Sequence, residues 1–364
     1  MPTDRICNWW FDHRAAWRAP AALILLAGTL ALIVVGFATM PEPQPALFPG
    51  NGDVALYRRI TDRLHNGQPY YEAAVEEHRT TGYPLRPFLT VRPPLLADIL
   101  AMLPGDGGRR LALLTLAAAT FAAWAFRLSR RGLHPVRYCA ALLLLAVGIA
   151  PAFLAEAEPV HEVWAGLLIA LSLVLRRQEA WFASVVIATL AALLRELAAP
   201  YLLVMAAVAL AEQQRKEAAA WFAGFAIFTA ALMLHAATVN GLVTPADRLS
   251  ASWVRFGGWP FVMQASEWAL LGPLFPRWLV PALVPLALFG FTAWRGALGR
   301  RLALTVGGYV VGFLCFGRAD NSYWGLMIAP LLPLGLLATW PALRRCLGDL
   351  RAGRRSRPAA GLAA

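Results

Sequence analysis

The sequence has little charge and almost no lysine. Charged residues make up 15% of its 364 positions, where a soluble protein has about 25%, and Lys216 is the single lysine among 33 basic residues. The four cysteines show no paired spacing, which argues against a disulfide framework or a cysteine metal cluster. The chain also lacks a P-loop and a dinucleotide-binding glycine pattern. So low a charged fraction argues against a soluble globular protein with a single core.

Long uncharged runs are what the sequence has instead, and apolar residues make up 59% of it. A membrane-spanning helix needs about 20 such residues. The sequence therefore predicts an all-α polytopic membrane protein, a single transmembrane domain over 1–364 with about ten transmembrane helices. The ten runs cover 19–41, 111–126, 138–155, 163–175, 180–194, 197–211, 218–246, 278–294, 302–317 and 321–343.

Three runs in the middle of the chain are short for a full crossing. Their helices must use charged flanks that snorkel to the interface, or stop before the far side. Residues 180–211 would make a helix of roughly 48 Å, too long for one crossing and short for two. A single crossing would place the Arg-rich tail outside. We therefore predict two short helices that meet at Arg195–Glu196 near the outer surface.

The distribution of charge predicts the orientation. With the N-terminus inside and ten crossings, the inner segments hold 20 basic and 6 acidic residues, and the outer segments hold 13 basic and 15 acidic. This asymmetry follows the positive-inside rule, so both termini are predicted to be cytoplasmic. Residues 1–38 then form a retained first helix, since their apolar stretch is long for a cleaved signal. The basic cytoplasmic tail, 343–364, is expected to contact anionic lipid, with no nucleic-acid partner.

The longest polar segment is the first outer loop, residues 41–110, and it has its own helical signals. An Asn51-Gly52 turn precedes Asp53, which can cap the helix that follows. Apolar residues at helical spacing predict an amphipathic helix on the outer leaflet: Leu56, Tyr57, Ile60 and Leu64.

Two more helices are predicted in this loop. One covers 70–79, and one covers 93–103 with proline at its first position. The stretch between them, TGYPLRPFLTVR over 81–92, contains two prolines that forbid a helix and is expected to be extended. A further outer loop is predicted over 238–277.

The order of first helix, Asp53 in GNGDVALY, amphipathic helix and VRPP segment resembles the GT-C superfamily of integral-membrane glycosyltransferases. The resemblance implies a sugar donor linked to polyprenyl phosphate, and an envelope glycan or a lipid as acceptor. It also implies an active site on the periplasmic face of a bacterial inner membrane, with Asp53 as the base that activates the acceptor hydroxyl. The chain departs from the pattern in lacking a large soluble C-terminal domain and an acidic pair in the first outer loop.

The chemistry of this transfer explains why one carboxylate suffices. A base is needed near the acceptor hydroxyl, but phosphate leaves without being protonated, so a paired acid is unnecessary. The departing phosphate needs cationic donors in fixed geometry, which arginine supplies better than lysine. We expect Arg92 and Arg195 to hold the phosphate, with Arg86 or Arg318 assisting.

Each of these residues has a structural alternative. Asp53 could be only a helix cap, and Arg92 could be an anchor at the lipid headgroups. Arg195 and Glu196 could form a self-contained ion pair that closes a hairpin. The short second outer loop could bind the acceptor sugar or a divalent cation, or form a solvated acidic rim, with Glu158, His161 and Glu162 as its candidates. No cofactor is assigned.

Other polar and small residues are given structural roles, with one exception. Trp253, Trp259 and Trp268 could stack on an acceptor, whereas the remaining tryptophans form an interfacial belt. We expect His65 and His78 at the surface, His235 in the interior, and Gly308 and Gly312 in a close helix contact. Two other functions remain open: a transporter or flippase of lipid-linked sugars, and a lipid-linked glycan ligase or polymerase.

Overall fold

The structure is a computed structural model that describes residues 15–40, 52–252, 254–270 and 276–355. These residues form helices and loops without a β-strand, and an isolated bridge pairs Arg86 with Leu249. The α-helices in chain order are α1 Ala15–Ala38, α2 Asp53–His65, α3 Tyr70–Thr81, α4 Leu95–Met102, α5 Gly105–Ser129, α6 Pro135–Ile149, α7 His161–Leu175, α8 Phe182–Leu194, α9 Ala199–Ala211, α10 Arg215–Leu242, α11 Gly258–Ser266, α12 Val280–Phe291, α13 Gly296–Cys315 and α14 Thr339–Arg355.

Five of the described helices are long and apolar enough to cross a membrane, and they lie in α1, α5, α6, α10 and α13. A sixth candidate span is broken, with a bend of 64° between its two parts, 319–327 and 332–352. The remaining apolar segments are shorter: His161–Leu175, Phe182–Leu194, Glu196–Ala211 and Arg277–Phe291. The all-helical class is confirmed, whereas ten full crossings remain a prediction.

The short helices α8 and α9 meet at Arg195, as predicted. The backbone of Arg195 is extended, with φ −148° and ψ 116°, and this interrupts the helix. The expectation that charged flanks snorkel is wrong here, because Arg176 and Arg195 are only 6% and 1% exposed. Glutamates on neighbouring elements pair with both arginines inside the protein, so these charges do not need the lipid interface.

Residues 319–338 of the broken span, called the broken segment below, lie inside the helix bundle. The backbone of this segment packs directly on glycines, since a Cβ at Gly166 of α7 would lie 2.2 Å from the Leu326 carbonyl oxygen. A Cβ at Gly148 of α6 would lie 2.3 Å from the Ala329 carbonyl oxygen. This close approach fixes the position of residues 319–327, which form one wall of the site described below.

The first outer loop contains the three predicted helices as α2, α3 and α4, and it builds a small core of its own. Leu56 and Ile60 of α2 are 1% and 3% exposed and pack with α3, Val91 and Val239. The apolar face of α2 thus contacts protein, which corrects the expectation that it lies on lipid. Helix α4 begins at Leu95 with Pro94 as its N-cap, two residues later than the predicted start at 93.

Two other boundaries differ from the sequence prediction. Helix α10 continues to Leu242, so the outer loop predicted from 238 begins later and contains α11. The basic tail is helical as far as Arg355 in α14, which packs on α1 around Cys346. The described cysteines are free thiols, and Cys7 lies outside the described residues.

Candidate functional site

A cavity of about 1120 Å³ lies between the first outer loop, the N-terminal ends of α7 and α9, helices α11 and α13, and residues 319–327. Apolar side chains of α13 form one wall, among them Tyr309 and Phe313. The polar part of the lining combines four arginines with five carboxylates: Asp53, Arg92, Glu162, Arg195, Glu196, Glu267, Arg277, Arg318 and Asp320. The cavity is therefore nearly neutral in charge and has both an apolar and an ionic side.

Asp53 lies on this cavity as the first residue of α2. The N-cap is Gly52, and no side chain caps the helix, so the alternative role of Asp53 as a helix cap is wrong. The N-cap therefore lies one residue earlier than expected. The Asp53 carboxylate instead accepts a hydrogen bond from the Tyr323 hydroxyl at 3.4 Å, across 270 residues of sequence.

Arg92 approaches the same tyrosine from the other side. Its Nη2 donates to the Tyr323 hydroxyl at 3.1 Å, and its Nε donates to the Tyr57 hydroxyl at 2.8 Å. Its carbonyl oxygen accepts a hydrogen bond from Tyr70 at 2.6 Å, which fixes the backbone. Because the Arg92 side chain is only 10% exposed and is held by hydroxyls, it does not fit a headgroup anchor at the surface.

Arg195 differs from Arg92 in its partners. It is 1% exposed, its Nε donates to Glu162 Oε1 at 2.6 Å, and its Nη1 pairs with Glu196. The Arg195–Glu196 ion pair of the structural alternative is present. It is not self-contained, however, because Arg195 also pairs with Glu162, and all three residues line the cavity. Arg92 Nη1, by contrast, lies 3.9 Å from Glu196 Oε1. Of the two arginines, Arg92 is the one whose charge is less fully compensated.

The two assisting arginines have different positions. Arg86 is not among the cavity-lining residues, and its Nε donates to the Asp247 carbonyl oxygen at 3.0 Å. Arg318 lines the cavity and pairs with Asp320 at 2.7 Å, while its Nη1 donates to the Ala251 carbonyl oxygen at 2.9 Å. Both residues therefore hold the loop after α10, and Arg318 alone of the two faces the cavity.

The three candidates in the second outer loop do not form one cluster. Glu158 pairs with Arg58, and Glu162 pairs with Arg195. His161 is 3% exposed and contacts the Tyr57 ring edge to face at 5.1 Å. In the described ranges, no three His, Cys, Asp or Glu side chains are grouped to hold a metal ion. Because these residues are buried, the solvated acidic rim is wrong for Glu158 and Glu162.

Tyrosines are the functional residues that sequence reasoning missed. Tyr57 follows Asp53 by four residues in α2, a spacing that puts both on one helix face and that periodicity could have revealed. Nothing in the sequence connects Tyr323 to Asp53. Burial and the nearby Asp53 carboxylate raise the pKa of Tyr83, another lining residue, to about 12. Tyr83 therefore keeps its proton at neutral pH.

The structure also sorts the histidines. His65 is exposed, as expected, and His235 is buried with hydrogen bonds to Tyr71 and to the Val91 carbonyl oxygen. The surface prediction for His78 is wrong, because it is 2% exposed and its Nδ1 lies 2.9 Å from the Pro84 carbonyl oxygen. Burial lowers the pKa of His78, which favours the neutral ring.

Only some of the tryptophan and glycine candidates that the structure describes line the cavity. Trp268 lines it, Trp259 donates instead to the Leu32 carbonyl oxygen of α1, and Trp253 lies outside the described residues. Gly308 and Gly312 line the cavity too, and a Cβ at Gly312 would meet nothing within 4 Å. The predicted close helix contact is therefore wrong at Gly312.

No protein-family model matches the chain, and no curated protein or solved structure matches it.

Proposed function

We propose that the chain is a membrane glycosyltransferase that moves a sugar from a polyprenyl-phosphate donor to an acceptor hydroxyl. One observation carries this proposal: the Tyr323 hydroxyl connects the Asp53 carboxylate to the Arg92 guanidinium on the wall of the large cavity. A carboxylate for the acceptor proton and a guanidinium for the leaving phosphate are the two groups that the transfer needs. At about 1120 Å³ the cavity exceeds what a drug-sized ligand fills.

In this proposal Asp53 takes the proton of the acceptor hydroxyl as its oxygen forms a bond to the anomeric carbon of the sugar. The bond between that carbon and the phosphate oxygen breaks, and its electron pair leaves with the phosphate. Arg92 meets the charge that develops on the departing group, because a fixed guanidinium needs no rearrangement as the charge forms. The phosphate departs unprotonated, so one carboxylate is enough.

The pairing of charges supports Arg92 over Arg195 as the phosphate ligand. Arg195 is neutralised by two glutamates and has almost no exposed surface, whereas the hydrogen-bonding partners of Arg92 are two tyrosine hydroxyls. A phosphate group can replace or join neutral hydroxyl partners more easily than it can compete with a carboxylate. Arg195 then acts as a positioning residue that holds Glu162 and Glu196 in place.

The proposal includes the GT-C resemblance and a location in a bacterial inner membrane with the cavity on the periplasmic face. It is supported by the asymmetry of charge in the sequence and by the five to six candidate spans. The donor would reach the cavity from the outer leaflet, and the acceptor would be a lipid or an envelope glycan.

A transporter or flippase of lipid-linked sugars is the second candidate. The observation that favours it is the Arg195–Glu162 pair, since both side chains are 1% exposed and ionisable groups inside a membrane bundle often mark a transport path. A lipid-linked glycan ligase or polymerase would use the same chemistry to transfer a whole glycan.

The variant Asp53→Asn separates these functions. In membranes supplied with radiolabelled polyprenyl-phosphate sugars, we expect it to lower transfer of label to the acceptor fraction by roughly 100-fold or more. The matched control is Asp106→Asn, a change at an 83% exposed carboxylate of α5, and we expect it to keep wild-type transfer. Full transfer by Asp53→Asn would contradict the proposal. The flippase would be favoured if the wild type moved the lipid-linked sugar across the membrane without transferring its sugar, and if Asp53→Asn lost this lipid movement.

A further inference from the structure

Three buried polar atoms along the cavity have no hydrogen-bond partner among the described residues. They are Gln264 Nε2, Asn321 Oδ1 and Trp324 Nε1, and all three residues line the cavity. Gln264 and Asn321 are only 3% and 5% exposed. A buried polar group without a partner loses its hydration and gains nothing in return, so such groups are normally paired. Three of them on one cavity indicate a ligand that supplies the missing partners.

The packing of the backbone brings these residues to one wall. Gln264 belongs to α11, whereas Asn321 and Trp324 belong to the segment 319–327. A Cβ at Gly325 would lie 1.8 Å from the Ala265 carbonyl oxygen, so the two backbones touch at a point where only glycine fits. The Trp324 ring also packs edge to face on Phe261 at 6.2 Å. The three polar groups are thus held by rigid neighbours.

The chemistry of this wall is neutral. An amide N–H and an indole N–H donate, an amide oxygen accepts, and the Trp268 indole adds an aromatic surface to the lining. The charged residues nearest in the chain are already paired, Glu267 with Arg277 and Arg318 with Asp320. A ligand that both donates and accepts hydrogen bonds without carrying charge fits this set, and the hydroxyl groups of a sugar ring do so.

The neutral wall continues into the charged centre. Asn321 Nδ2 donates to the Tyr323 hydroxyl at 3.5 Å, and the same hydroxyl donates to Asp53. A ring bound by Asn321 would therefore lie next to the carboxylate that is proposed to act as base.

We propose that Gln264, Asn321 and Trp324 form a subsite for an uncharged, hydroxyl-rich sugar ring, either the sugar of the donor or that of the acceptor. This inference rests on the proposed function and adds the chemical class of the sugar, which is neutral. Gln264, Asn321 and Trp324 bind its hydroxyls, and Arg92 binds the phosphate of the donor.

The test measures binding of the two ligand parts separately. The full chain in lipid nanodiscs is titrated calorimetrically with hexyl glucoside, hexyl mannoside and hexyl galactoside, and separately with hexyl phosphate. We expect at least one hexyl glycoside to bind, and Gln264→Met to weaken that binding roughly tenfold, the loss of about one hydrogen bond. Binding of hexyl phosphate stays unchanged in Gln264→Met, because Arg92 is intact.

Matched variants control for nonspecific effects. Gln213→Met makes the same change at an exposed glutamine and is the control for Gln264→Met. A second test variant is Trp324→Phe, and its control is Trp278→Phe, at a tryptophan that is 63% exposed. Both controls should bind glycosides like the wild type, whereas Trp324→Phe should bind them several-fold more weakly. If the glycoside binds more tightly when hexyl phosphate is already bound, the subsite holds the acceptor sugar. If the two ligands exclude each other, the subsite holds the donor sugar.

The subsite is overturned if no hexyl glycoside binds, or if folded Gln264→Met and Trp324→Phe both bind it like the wild type. Failure of the proposed function would look different. In that case hexyl phosphate would bind equally well to the wild type and to Arg92→Gln, whatever the glycosides do.

Discussion

Two buried ion networks lie at opposite ends of the same two helices, α7 and α9. The cavity network consists of Arg195, Glu162 and Glu196, at the ends where both helices begin. The inner network lies where α7 and α9 end and joins them to α10 and α13, through Arg176, Arg301, Glu212 and Glu217. At 1.5 Å per residue, the two networks are separated by roughly 20 Å along each helix.

The networks are alike in composition and burial but differ in their surroundings. Arg301 is 1% exposed and Glu217 is fully buried, as closely packed as Arg195 and Glu162. All three members of the cavity network line the large cavity, whereas none of the inner network does. The cavity network also has Arg92 beside it, and the inner one has Trp221, whose Nε1 donates to Glu217 at 3.2 Å.

A buried ion pair is therefore not by itself a sign of function. Such pairs contribute little net stability, yet breaking one is costly because a charge is left unpaired. What distinguishes the cavity network is the hydroxyl contact between Asp53 and Arg92 next to it. We expect the inner network to act as a structural clamp, because it joins four helices and lies away from the cavity, and mutation can distinguish the two networks.

The largest expected effect is on stability at the inner network. Arg176→Met leaves Glu217 buried without its main partner, so we expect a loss of about 3–5 kcal/mol in the free energy of unfolding. The midpoint of thermal unfolding of the purified protein measures it. The neighbouring exposed Arg177→Met is the matched control and should unfold like the wild type. An unchanged midpoint in Arg176→Met would mean that the clamp is not needed for stability.

Double substitutions test whether the two networks differ in function. Replacing both Arg176 and Glu217 with methionine removes the unpaired charge and leaves Arg301 paired with Glu212, so this double variant should regain about 1–3 kcal/mol over its single variants. In the double variant at Arg195 and Glu162, Glu196 keeps Arg92 at 3.9 Å as its remaining partner. Arg176→Met with Glu217→Met should then transfer sugar normally. Arg195→Met with Glu162→Met should be folded yet impaired, because the wall around Arg92 has changed. Equal activity in both folded double variants would remove the functional difference between the two networks.

Local signals in the sequence predicted much of the fold and part of the site. The helix after Asp53 follows from apolar residues at helical spacing, and the break at Arg195 follows from charge inside an apolar run. The role of Asp53 comes from the resemblance to the GT-C superfamily, whereas Arg92 is indicated by its place directly before Pro93 and Pro94. Each of these inferences depends on residues within a few positions of one another, which is where sequence patterns carry physical information.

Contacts between distant segments could not be predicted in this way. The sequence cannot show that Tyr323 lies between Asp53 and Arg92, or that Arg86 bonds to the loop after α10. It also placed His78 at the surface, although packing of the first outer loop buries it. These partners are set by how the broken segment and the first outer loop pack together, and a single sequence contains no pairing signal for that.

An intermediate effect is expected at Arg92, on the binding of phosphate. Arg92→Lys keeps the charge but loses the planar fork that reaches both tyrosine hydroxyls, so hexyl phosphate should bind about 10- to 100-fold more weakly, equivalent to roughly 1.5–3 kcal/mol. The control is Arg109→Lys, a buried arginine of α5 that bonds to Asp62 outside the cavity. If both variants bind hexyl phosphate like the wild type, Arg92 is not its ligand.

The smallest expected effect concerns Tyr83, which supports Asp53 from the edge of the cavity. Because burial and the Asp53 carboxylate raise its pKa to about 12, its hydroxyl is protonated throughout the usual assay range and remains a donor. Tyr83→Phe removes the hydroxyl that lies beside the Asp53 carboxylate, so sugar transfer should fall about fivefold, equivalent to about 1 kcal/mol, without a change in thermal unfolding. Tyr138→Phe, which removes a hydroxyl bonded to the Ala125 carbonyl oxygen on α5, should leave transfer unchanged. A loss as large as that of Asp53→Asn would instead make Tyr83 an essential partner of the base and shift the centre of the site toward the first outer loop.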